Sequence, residues 1–464
     1  MTCSRCDALV LFGATGDLAH KKIFPAIYRL ERQGRLGVPV IGVALAGWSP
    51  DDLRKRFQES VAAAEPEPDA ELLRRLAERI QYVDGDYRDE QTFVSLRKAL
   101  KDAQNPLHYL AIPPSLFPVV VERLASSDGA RRGRVVVEKP FGRDLASAGA
   151  LNEALAAAFP ERSVFRIDHF MGKEAVQNLL YFRFVNSFVE PIWNRTWVES
   201  IQITLAESFG VEGRGRFYEE VGAIRDVVQN HMLQIVALLT MEPPVSPDPE
   251  DVRDEQAKAL KAIRPLTGRS LVRGQYAGYR DESGVAADSD VETYAAMQLH
   301  IDSWRWAGVP LFIRTGKRLA ATATEVRVAL RRPPHAVFGR AEPGQSNYFR
   351  FRLAPEVVIG LGARAKVAGE EMIGESVELG VCRQSPEVMS DYERLIGDAL
   401  DGDPALFARQ DGVEAAWRIV DPMLGAAAPV ESYEPGSWGP ASADAMIRPF
   451  GGWQAPTENG DLAC

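Results

Sequence analysis

The chain has 464 residues, 46% of them hydrophobic and 25% charged, a composition typical of a globular protein with two domains. The net charge of −10, from 54 basic and 64 acidic residues, excludes a general affinity for nucleic acid or an anionic membrane surface. No apolar run is long enough to span a bilayer, and the N-terminus does not resemble a secretory signal. The four cysteines form a poor disulfide framework, so we expect a cytoplasmic protein.

The first 170 residues alternate short apolar strands with helical patterns. This alternation predicts an α/β domain with a parallel sheet covered by helices on both faces. The predicted strands are 7–12, 38–44, 81–83, 107–112 and 134–137, and the predicted helices are 21–32, 51–64, 70–79, 90–101 and 116–125.

From about residue 171 to 464, longer strands rich in β-branched and aromatic residues predict a second domain with an antiparallel sheet. Helices at 219–240 and 391–400 are expected to pack on one face of that sheet, and 243–254 and 332–345 are expected to be exposed loops. The predicted strands are 200–206, 293–301, 310–315, 325–330, 348–353 and 357–363.

A glycine turn follows the first strand, with the spacing Gly13-x-x-Gly16-x-x-Ala19, and opens a helix. Glycine permits a tight turn and close backbone approach, while the helix N-terminus supplies N–H donors for a pyrophosphate. Two glycines also occur in such turns for packing alone, so the turn by itself is a weak signal.

The segment Glu138-Lys139-Pro140 directly follows a predicted parallel strand. Ligands of open α/β sheets bind at the carboxyl ends of the strands, which favours a functional Lys139 over an exposed turn with solvated charges. Pro140 is expected to restrict the preceding peptide bond, with a cis bond as one option, and so to fix the direction of Lys139.

Two further segments contain histidine next to acidic and basic residues. In 166–174, a helix starting at Asp168 would place His169 and Lys173 on one face, which suits a phosphate but equally suits a capped surface helix.

In 225–234, His231 stands where a polar stretch meets an apolar helix. Histidine titrates near neutral pH and suits a general base, although a hydrogen-bonded core histidine is the more common outcome.

Taken together, these motifs resemble the glucose-6-phosphate dehydrogenase family over nearly the whole chain. The resemblance rests on G-A-T-G-D-L-A-H-K-K-I-F-P, E-K-P-F-G-R-D-L, R-I-D-H-F-M-G-K-E, V-E-G-R-G, I-R-D-V-V-Q-N-H-M-L-Q, R-T-G-K and G-S-W-G-P, in that order. It implies a Rossmann-type domain, then an α+β domain with a large, mainly antiparallel sheet, and assembly as a homodimer or homotetramer.

The resemblance also implies roles for single residues. His231 would take the proton from the C1 hydroxyl of glucose 6-phosphate, with Asp168 as its carboxylate partner, and no metal would be needed. The residues implied to hold the sugar phosphate are His169, Lys173, Glu207, Asp226, Lys317 and Lys139. Those implied to hold NADP are Gly13, Gly16, Asp17, Leu18, Leu45, Asp86, Tyr87 and Lys139.

The chain departs from the family pattern at five positions. Leu45 replaces an arginine expected on the cofactor's 2′-phosphate, so NAD or dual use is open. Phe170, Thr322 and Ala354 replace polar residues, so we expect weaker binding of the sugar phosphate. Trp438 replaces an arginine that some eukaryotic relatives use for a second, structural NADP, which we therefore expect to be absent.

Two other functions fit parts of the sequence less well. A different sugar oxidoreductase family also has E-K-P after a Rossmann domain, but its members tend to be shorter and are not expected to have both histidine segments. A non-catalytic nucleotide sensor would be free to lose its base, whereas His231 and Asp168 are both present.

Overall fold

The computed structural model describes residues 5–126, 133–335, 337–338, 346–383, 389–425 and 428–456. The chain divides into two compact units. Unit 1 contains the described residues of 1–174, 244–254 and 388–414; unit 2 contains those of 175–243, 255–387 and 415–464. The division into continuous domains, 1–170 and 171–464, stays a prediction.

Up to residue 167 the chain alternates strands and helices. The elements are β1 (Ala8–Phe12), a π-helix (Ala19–Ile23), α1 (Phe24–Arg32), β2 (Val40–Ala44), α2 (Pro50–Ala64), α3 (Ala70–Arg79), β3 (Ile80–Asp84), α4 (Glu90–Leu100), β4 (Pro106–Leu110), α5 (Phe117–Ser126), β5 (Arg134–Glu138), α6 (Leu145–Ala158) and β6 (Val164–Ile167).

Unit 1 is built on a six-stranded sheet with the order β3-β2-β1-β4-β5-β6, and every neighbouring pair is parallel. This is the strand order of dinucleotide-binding Rossmann domains. Every residue of β1, β2, β4 and β5 is buried, which explains why these strands are mostly apolar and show no polar alternation. The predicted α/β class is confirmed.

The remaining chain contains more strands than the sequence patterns predict. Its elements are α7 (Glu174–Val185), β7 (Val198–Ala206), α8 (Gly215–Ala223), a second π-helix (Ile224–Met232), α9 (Leu233–Thr240), α10 (Pro249–Ala262), β8 (Leu271–Tyr276), β9 (Tyr294–Leu299), β10 (Leu311–Gly316), β11 (Ala323–Leu330), β12 (Tyr348–Ala354), β13 (Val357–Lys366), β14 (Gly374–Arg383), α11 (Asp391–Asp401), α12 (Gln410–Val420), β15 (Val430–Tyr433) and α13 (Ala441–Ile447).

Unit 2 is built on a nine-stranded sheet with the order β14-β13-β12-β11-β7-β10-β9-β8-β15. β10 pairs with β7 in parallel, β15 pairs with β8 in parallel, and the other six pairings are antiparallel. The prediction of a large, mainly antiparallel sheet is confirmed. The parallel β7–β10 pair has a functional consequence because it brings two strand ends together.

α9 is buried at every position, and its C-terminal carbonyls are capped from outside the helix. The indole N–H of Trp193 donates to the carbonyl of Leu239 at 2.7 Å, and that of Trp306 donates to Thr240 at 2.8 Å. The last carbonyls of a helix have no partner within it, so these indoles satisfy them inside the core. The helix end is thereby fixed relative to the sheet of unit 2.

Four details of the prediction are wrong. The predicted single helix 219–240 is kinked at Gly222, where φ is 61°, and it is a π-helix from Ile224 to Met232 before α9 begins. The loop 243–254 contains the start of α10, whose Pro249 is compatible with a first helical turn. α11 belongs to the core of unit 1, where Leu395 and Leu400 are buried. Cys382 is disulfide-bonded, which the sequence did not predict.

Residues 332–335 lie outside any helix or strand, as expected, and the rest of the predicted loop 332–345 lies mostly outside the described residues. Within the described part of the chain, every helix is too short or too polar to cross a membrane.

Candidate active site

The glycine turn after β1 has the backbone that a dinucleotide pyrophosphate requires. Gly13 has φ 78°, and a Cβ there would lie 2.1 Å from the carbonyl oxygen of Ala111, so only glycine fits. The Gly16 N–H donates to the Gly13 carbonyl at 2.9 Å and closes the turn. Helical structure starts immediately afterwards at Asp17 and Leu18, where the first N–H groups lack intrahelical acceptors.

Two residues predicted to contact the cofactor have observed partners within unit 1. The hydroxyl of Tyr87 accepts from the Gly13 N–H at 3.0 Å and donates to the Val43 carbonyl at 3.1 Å. Tyr87 therefore links the glycine turn to the end of β2 by hydrogen bonds. Asp17 is exposed and forms a salt bridge with Lys21 at 3.2 Å. Their contacts with a cofactor stay predictions.

The loop after β2 lies where a Rossmann domain selects its cofactor. The side chain of Leu45 is 65% exposed. The N–H groups of Ala46 and Gly47 donate to Oδ1 of Asp84 at 3.0 and 2.9 Å, and the bond from Ala46 is the main reason that the pKa of Asp84 is lowered. Both loop N–H groups therefore already have an acceptor, the carboxylate of Asp84 at the end of β3. Asp86, two residues on, is half-exposed and accepts from the N–H of Arg88.

Lys139 follows a buried carboxylate at the end of β5. Glu138 is 7% exposed and accepts a 2.6 Å hydrogen bond from the Tyr109 hydroxyl and another from Tyr392. Burial raises the pKa of the Glu138 carboxyl to about 7. The Lys139–Pro140 peptide bond is cis, as the sequence allowed. The two tyrosines were missed, because nothing in their local sequence distinguishes them from core residues.

Residues 168–173 form consecutive turns, so the predicted helix starting at Asp168 is wrong; α7 starts at Glu174. Asp168 is 2% exposed, and its Oδ1 accepts from the Phe170 N–H at 3.0 Å. The ammonium of Lys173 lies 3.6 Å from the centre of the Phe170 ring, and the His169 ring lies 5.3 Å from the same ring. The Phe170 ring thus lies near both of the residues predicted to bind phosphate.

In unit 2, the parallel strands β7 and β10 end side by side and bring Glu207 and Lys317 together. The Glu207 N–H donates to the Gly316 carbonyl at 3.1 Å, and the Lys317 ammonium forms a salt bridge with the Glu207 carboxylate. Lys317 is 8% exposed, with its ammonium 5.6 Å from the centre of the Tyr218 ring. A buried lysine paired with a carboxylate suits the recognition of hydroxyl groups.

Asp226 and His231 both lie on the second π-helix. Its i→i+5 pattern continues to the Leu233 N–H, which donates to the Val228 carbonyl. In an α-helix, residues five apart would point roughly 140° apart, and the wider turn of a π-helix reduces this separation. The sequence prediction of a regular helix missed this, and we expect the π-helix to bring Asp226 and His231 closer to the same side.

Polar groups around this helix are well satisfied. The side-chain amide of Asn230 donates to the carbonyl of Asp226 at 3.0 Å, and its oxygen accepts from the His231 N–H at 2.6 Å. His231 is 3% exposed. Burial, with the nearby carboxylates of Asp226 and Glu207, raises the pKa of Tyr218 well above its ordinary range. Tyr218 is a site residue that the sequence analysis missed.

Three of the residues that depart from the family pattern lie in unit 2: Thr322, Trp438 and Ala354. The hydroxyl of Thr322 accepts from the Ser208 N–H at 2.9 Å and lies 2.8 Å from the Ser208 hydroxyl. Trp438 stacks on the guanidinium of Arg314, 4.5 Å from its ring centre, and Trp453 stacks on the same guanidinium at 4.6 Å. Ala354 ends β12 at a cis bond to Pro355.

A Rossmann sheet with this glycine turn, and a second unit with a buried histidine and a lysine–carboxylate pair, define a nicotinamide-dinucleotide-dependent oxidoreductase. Comparisons with known proteins give the family. Residues 10–178 match the model "Glucose-6-phosphate dehydrogenase, NAD binding domain", and residues 180–454 match "Glucose-6-phosphate dehydrogenase, C-terminal domain". The chain belongs to the glucose-6-phosphate dehydrogenase family.

Individual relatives agree with this membership. The chain is 46% identical to glucose-6-phosphate 1-dehydrogenase 1 of Mycobacterium tuberculosis, covering 97% of this chain and 96% of that protein. It is 40% identical to the cytoplasmic isoform from Solanum tuberosum, covering 96% and 92%. The crystal structure of the Mycobacterium avium enzyme matches with a TM-score of 0.91 at 44% identity, covering 98% of this chain and 100% of that one.

Another solved relative, glucose-6-phosphate dehydrogenase in complex with its substrate glucose-6-phosphate, matches with a TM-score of 0.90 at 36% identity, covering 98% of this chain and 100% of that one.

Proposed function

We propose that the chain oxidises D-glucose 6-phosphate at C1 to 6-phospho-D-glucono-1,5-lactone, with hydride transfer to NAD(P)+, as the first step of the oxidative pentose phosphate pathway. The observation that carries the proposal is the π-helix that contains Asp226 and the buried His231, in a unit that also pairs Lys317 with Glu207. Nearly full-length similarity to glucose-6-phosphate 1-dehydrogenases supports the substrate.

In the proposed reaction His231 acts as general base. Its neutral imidazole takes the proton of the C1 hydroxyl, and the carboxylate of Asp168 stabilises the imidazolium that forms. A base contributes about 100- to 10,000-fold in rate. Lys317, Glu207 and Asp226 hold the sugar hydroxyls, which orients C1 before the proton is removed.

The phosphate of the substrate is assigned to the turn 168–173. His169 and Lys173 supply its cationic partners, and the ring of Phe170 holds the Lys173 ammonium by a cation–π contact. Lys139 is assigned to the position between the sugar and the nicotinamide. The buried Glu138 before it restricts the backbone from which Lys139 extends.

A nicotinamide dinucleotide fits the residues of unit 1. Glycine at 13 leaves room for the pyrophosphate, and the helix start at Asp17 and Leu18 supplies donors. When bound, this cofactor accepts the hydride from C1. We propose NADP with dual use of NAD, because Leu45 offers no charge to a 2′-phosphate, and Asp84 already accepts from the loop N–H groups.

We also propose a cytoplasmic homodimer or homotetramer. Leu379 and Val381 on the edge strand β14 are 63% and 62% exposed, and their cross-strand partners Leu361 and Ile359 continue an apolar face. An exposed apolar edge of this kind indicates a subunit interface. Light scattering of the double variant Leu379→Glu, Val381→Glu is expected to give a smaller species than wild type; an unchanged mass would overturn this interface.

The substrate assignment is tested by comparing glucose 6-phosphate with unphosphorylated glucose. Because charged contacts to the phosphate each contribute on the order of 1.5–3 kcal/mol, kcat/KM is expected to be at least about 100-fold higher for glucose 6-phosphate. Equal kcat/KM values for the two sugars would instead support the activity of the other sugar oxidoreductase family. Absence of turnover with either sugar, in a protein that binds NADP, would favour a nucleotide sensor.

A further inference from the structure

The π-helix that carries Asp226 and His231 begins at a break in the chain. Gly222, with φ 61° and ψ 179°, separates α8 from the π-helix. A Cβ at this position would lie 2.5 Å from Oε1 of Glu292. Glycine is therefore required both for the backbone conformation and for the close approach of a carboxylate that comes from a distant part of unit 2.

Glu292 binds the first backbone groups of the π-helix. Its Oε1 accepts from the Ile224 N–H at 3.1 Å, and its backbone carbonyl accepts from the Ala223 N–H at 2.9 Å. The first N–H groups of a helix have no intrahelical acceptor, and a carboxylate there also interacts favourably with the helix dipole. Glu292 thus caps this helix from outside.

The same carboxylate is held by a buried arginine. Arg273 donates to Oε2 of Glu292 at 3.0 Å from Nη2, and also to the carbonyls of Ala428 and Asp290, both at 2.8 Å. Glu292 and Arg273 are 5% and 3% exposed. A buried charged pair is costly unless its hydrogen bonds are satisfied, and here Arg273 donates to Oε2 and the Ile224 N–H donates to Oε1.

The residue after Glu292 contacts the backbone of Lys317. The Thr293 carbonyl accepts from the Lys317 N–H at 2.9 Å, and the Thr293 hydroxyl lies 3.1 Å from the Tyr433 hydroxyl. Tyr433 in turn donates to the Lys317 carbonyl at 2.6 Å. Two adjacent residues therefore fix both the start of the π-helix and the backbone of the lysine.

We propose that Glu292 is a positioning residue for the reaction, a role that rests on the proposed function of His231 as base. By fixing where the π-helix begins, Glu292 fixes the side of the helix on which Asp226 and His231 lie. A shift of helix register by one residue turns each side chain by roughly 100°, which would take both groups away from the substrate. Arg273 acts through Glu292 by holding its carboxylate in place.

The test compares Glu292→Ala and Glu292→Gln with the matched control Glu325→Ala. Glu325 is also 5% exposed and paired with arginines, Arg350 and Arg352, each at 3.3 Å, but it lies on β11. All variants are confirmed as folded by thermal melting, and kcat and KM are measured with glucose 6-phosphate and NADP.

Glu292→Ala is expected to lower kcat by about 10- to 100-fold, because Asp226 and His231 would be displaced by about an ångström relative to the substrate. The KM for NADP is expected to stay unchanged. Glu292→Gln keeps an acceptor oxygen for Ile224 and is expected to recover most of kcat. Glu325→Ala is expected to lower the Tm but to keep kcat. A wild-type kcat in Glu292→Ala, or an equal loss of kcat in Glu325→Ala, would overturn the proposal.

Hydrogen exchange separates this proposal from the proposed function. In Glu292→Ala, the amides of 224–232 are expected to exchange faster than in wild type, whereas in Glu325→Ala they are not. Unchanged exchange in Glu292→Ala overturns the positioning role even if the wild-type enzyme is active. If exchange is faster in Glu292→Ala but the wild-type protein does not oxidise glucose 6-phosphate, the capping contact is supported and only the proposed reaction is rejected.

Discussion

The Lys317 ammonium and the Glu207 carboxylate form a salt bridge where the parallel strands β10 and β7 end next to each other. Both residues directly follow their strands, so the pairing register of the sheet determines the contact. Antiparallel neighbours would have placed the two ends on opposite edges. The one parallel pairing in the middle of this mainly antiparallel sheet therefore assembles part of the proposed sugar site.

Replacing Lys317 is expected to weaken substrate binding. Lys317→Met removes charged hydrogen bonds worth on the order of 1.5–3 kcal/mol, so KM for glucose 6-phosphate is expected to rise by about 10- to 100-fold, with KM for NADP unchanged. Steady-state kinetics measure both. The control is Lys258→Met on α10, where the lysine is exposed and paired with Glu255 at 3.1 Å. An unchanged KM for the sugar phosphate would contradict the role of Lys317.

Restoring a tyrosine at position 170 is expected to improve the phosphate site. Phe170→Tyr keeps the ring 3.6 Å from the Lys173 ammonium and adds a hydroxyl donor, so KM for glucose 6-phosphate is expected to fall by about tenfold. Phe188→Tyr, at an exposed position, serves as control. If Phe170→Tyr leaves KM unchanged while its Tm matches wild type, the turn 168–173 does not hold the phosphate as proposed.

Position 45 is expected to control the choice between NADP and NAD. Leu45→Arg adds a cation at an exposed site after β2, so the ratio of kcat/KM for NADP over NAD is expected to rise by about tenfold or more. Val245→Arg adds the same charge at a position that is 88% exposed and should leave the ratio unchanged. An unchanged ratio in Leu45→Arg would place the 2′-phosphate elsewhere.

Glu138 is expected to make the stability of the protein depend on pH. Burial raises its pKa to about 7 in the folded protein, against 4.5 in the unfolded chain, so the folded state binds more protons between these values. The free energy of unfolding therefore decreases as the pH rises from about 4.5 to about 7, by on the order of 3 kcal/mol.

Glu138→Gln removes this titration and keeps an acceptor for the Tyr109 hydroxyl. Urea unfolding of both proteins at pH 5 and pH 7.5 measures the difference. The variant is expected to gain stability relative to wild type as the pH rises. Equal pH dependence of the two proteins would show that Glu138 titrates normally in the folded state.

β1 and β2 of unit 1 were predictable from sequence because they are buried throughout and form unbroken apolar runs, whereas β6, which contains Arg166, was missed. β14 was not predictable in the same way. Its residues are largely exposed, so it lacks a continuous apolar run, and the alternation of Val377, Leu379 and Val381 with polar residues and glycine is a strand pattern that the sequence analysis missed. The start of α10 was missed because its Pro- and acid-rich first turn also suits a loop.

Motif spacing indicated the residues of the proposed site but not their geometry. Asp226 and His231 were identified in the sequence, yet helix periodicity assumes 3.6 residues per turn and gives no sign of a π-helix. Glu292, Tyr109 and Tyr392 come from distant parts of the sequence and act through buried hydrogen bonds. Only the folded structure shows which donor forms a hydrogen bond with each buried carboxylate.

The role of His231 as general base is tested by the rate of nicotinamide reduction with glucose 6-phosphate, measured for wild type, His231→Asn and the control His300→Asn. We expect turnover in wild type, an unchanged rate in His300→Asn, and a loss of about 100- to 10,000-fold in His231→Asn with NADP binding retained. A wild-type rate in folded His231→Asn would contradict it, because the proton would then leave the C1 hydroxyl by another route.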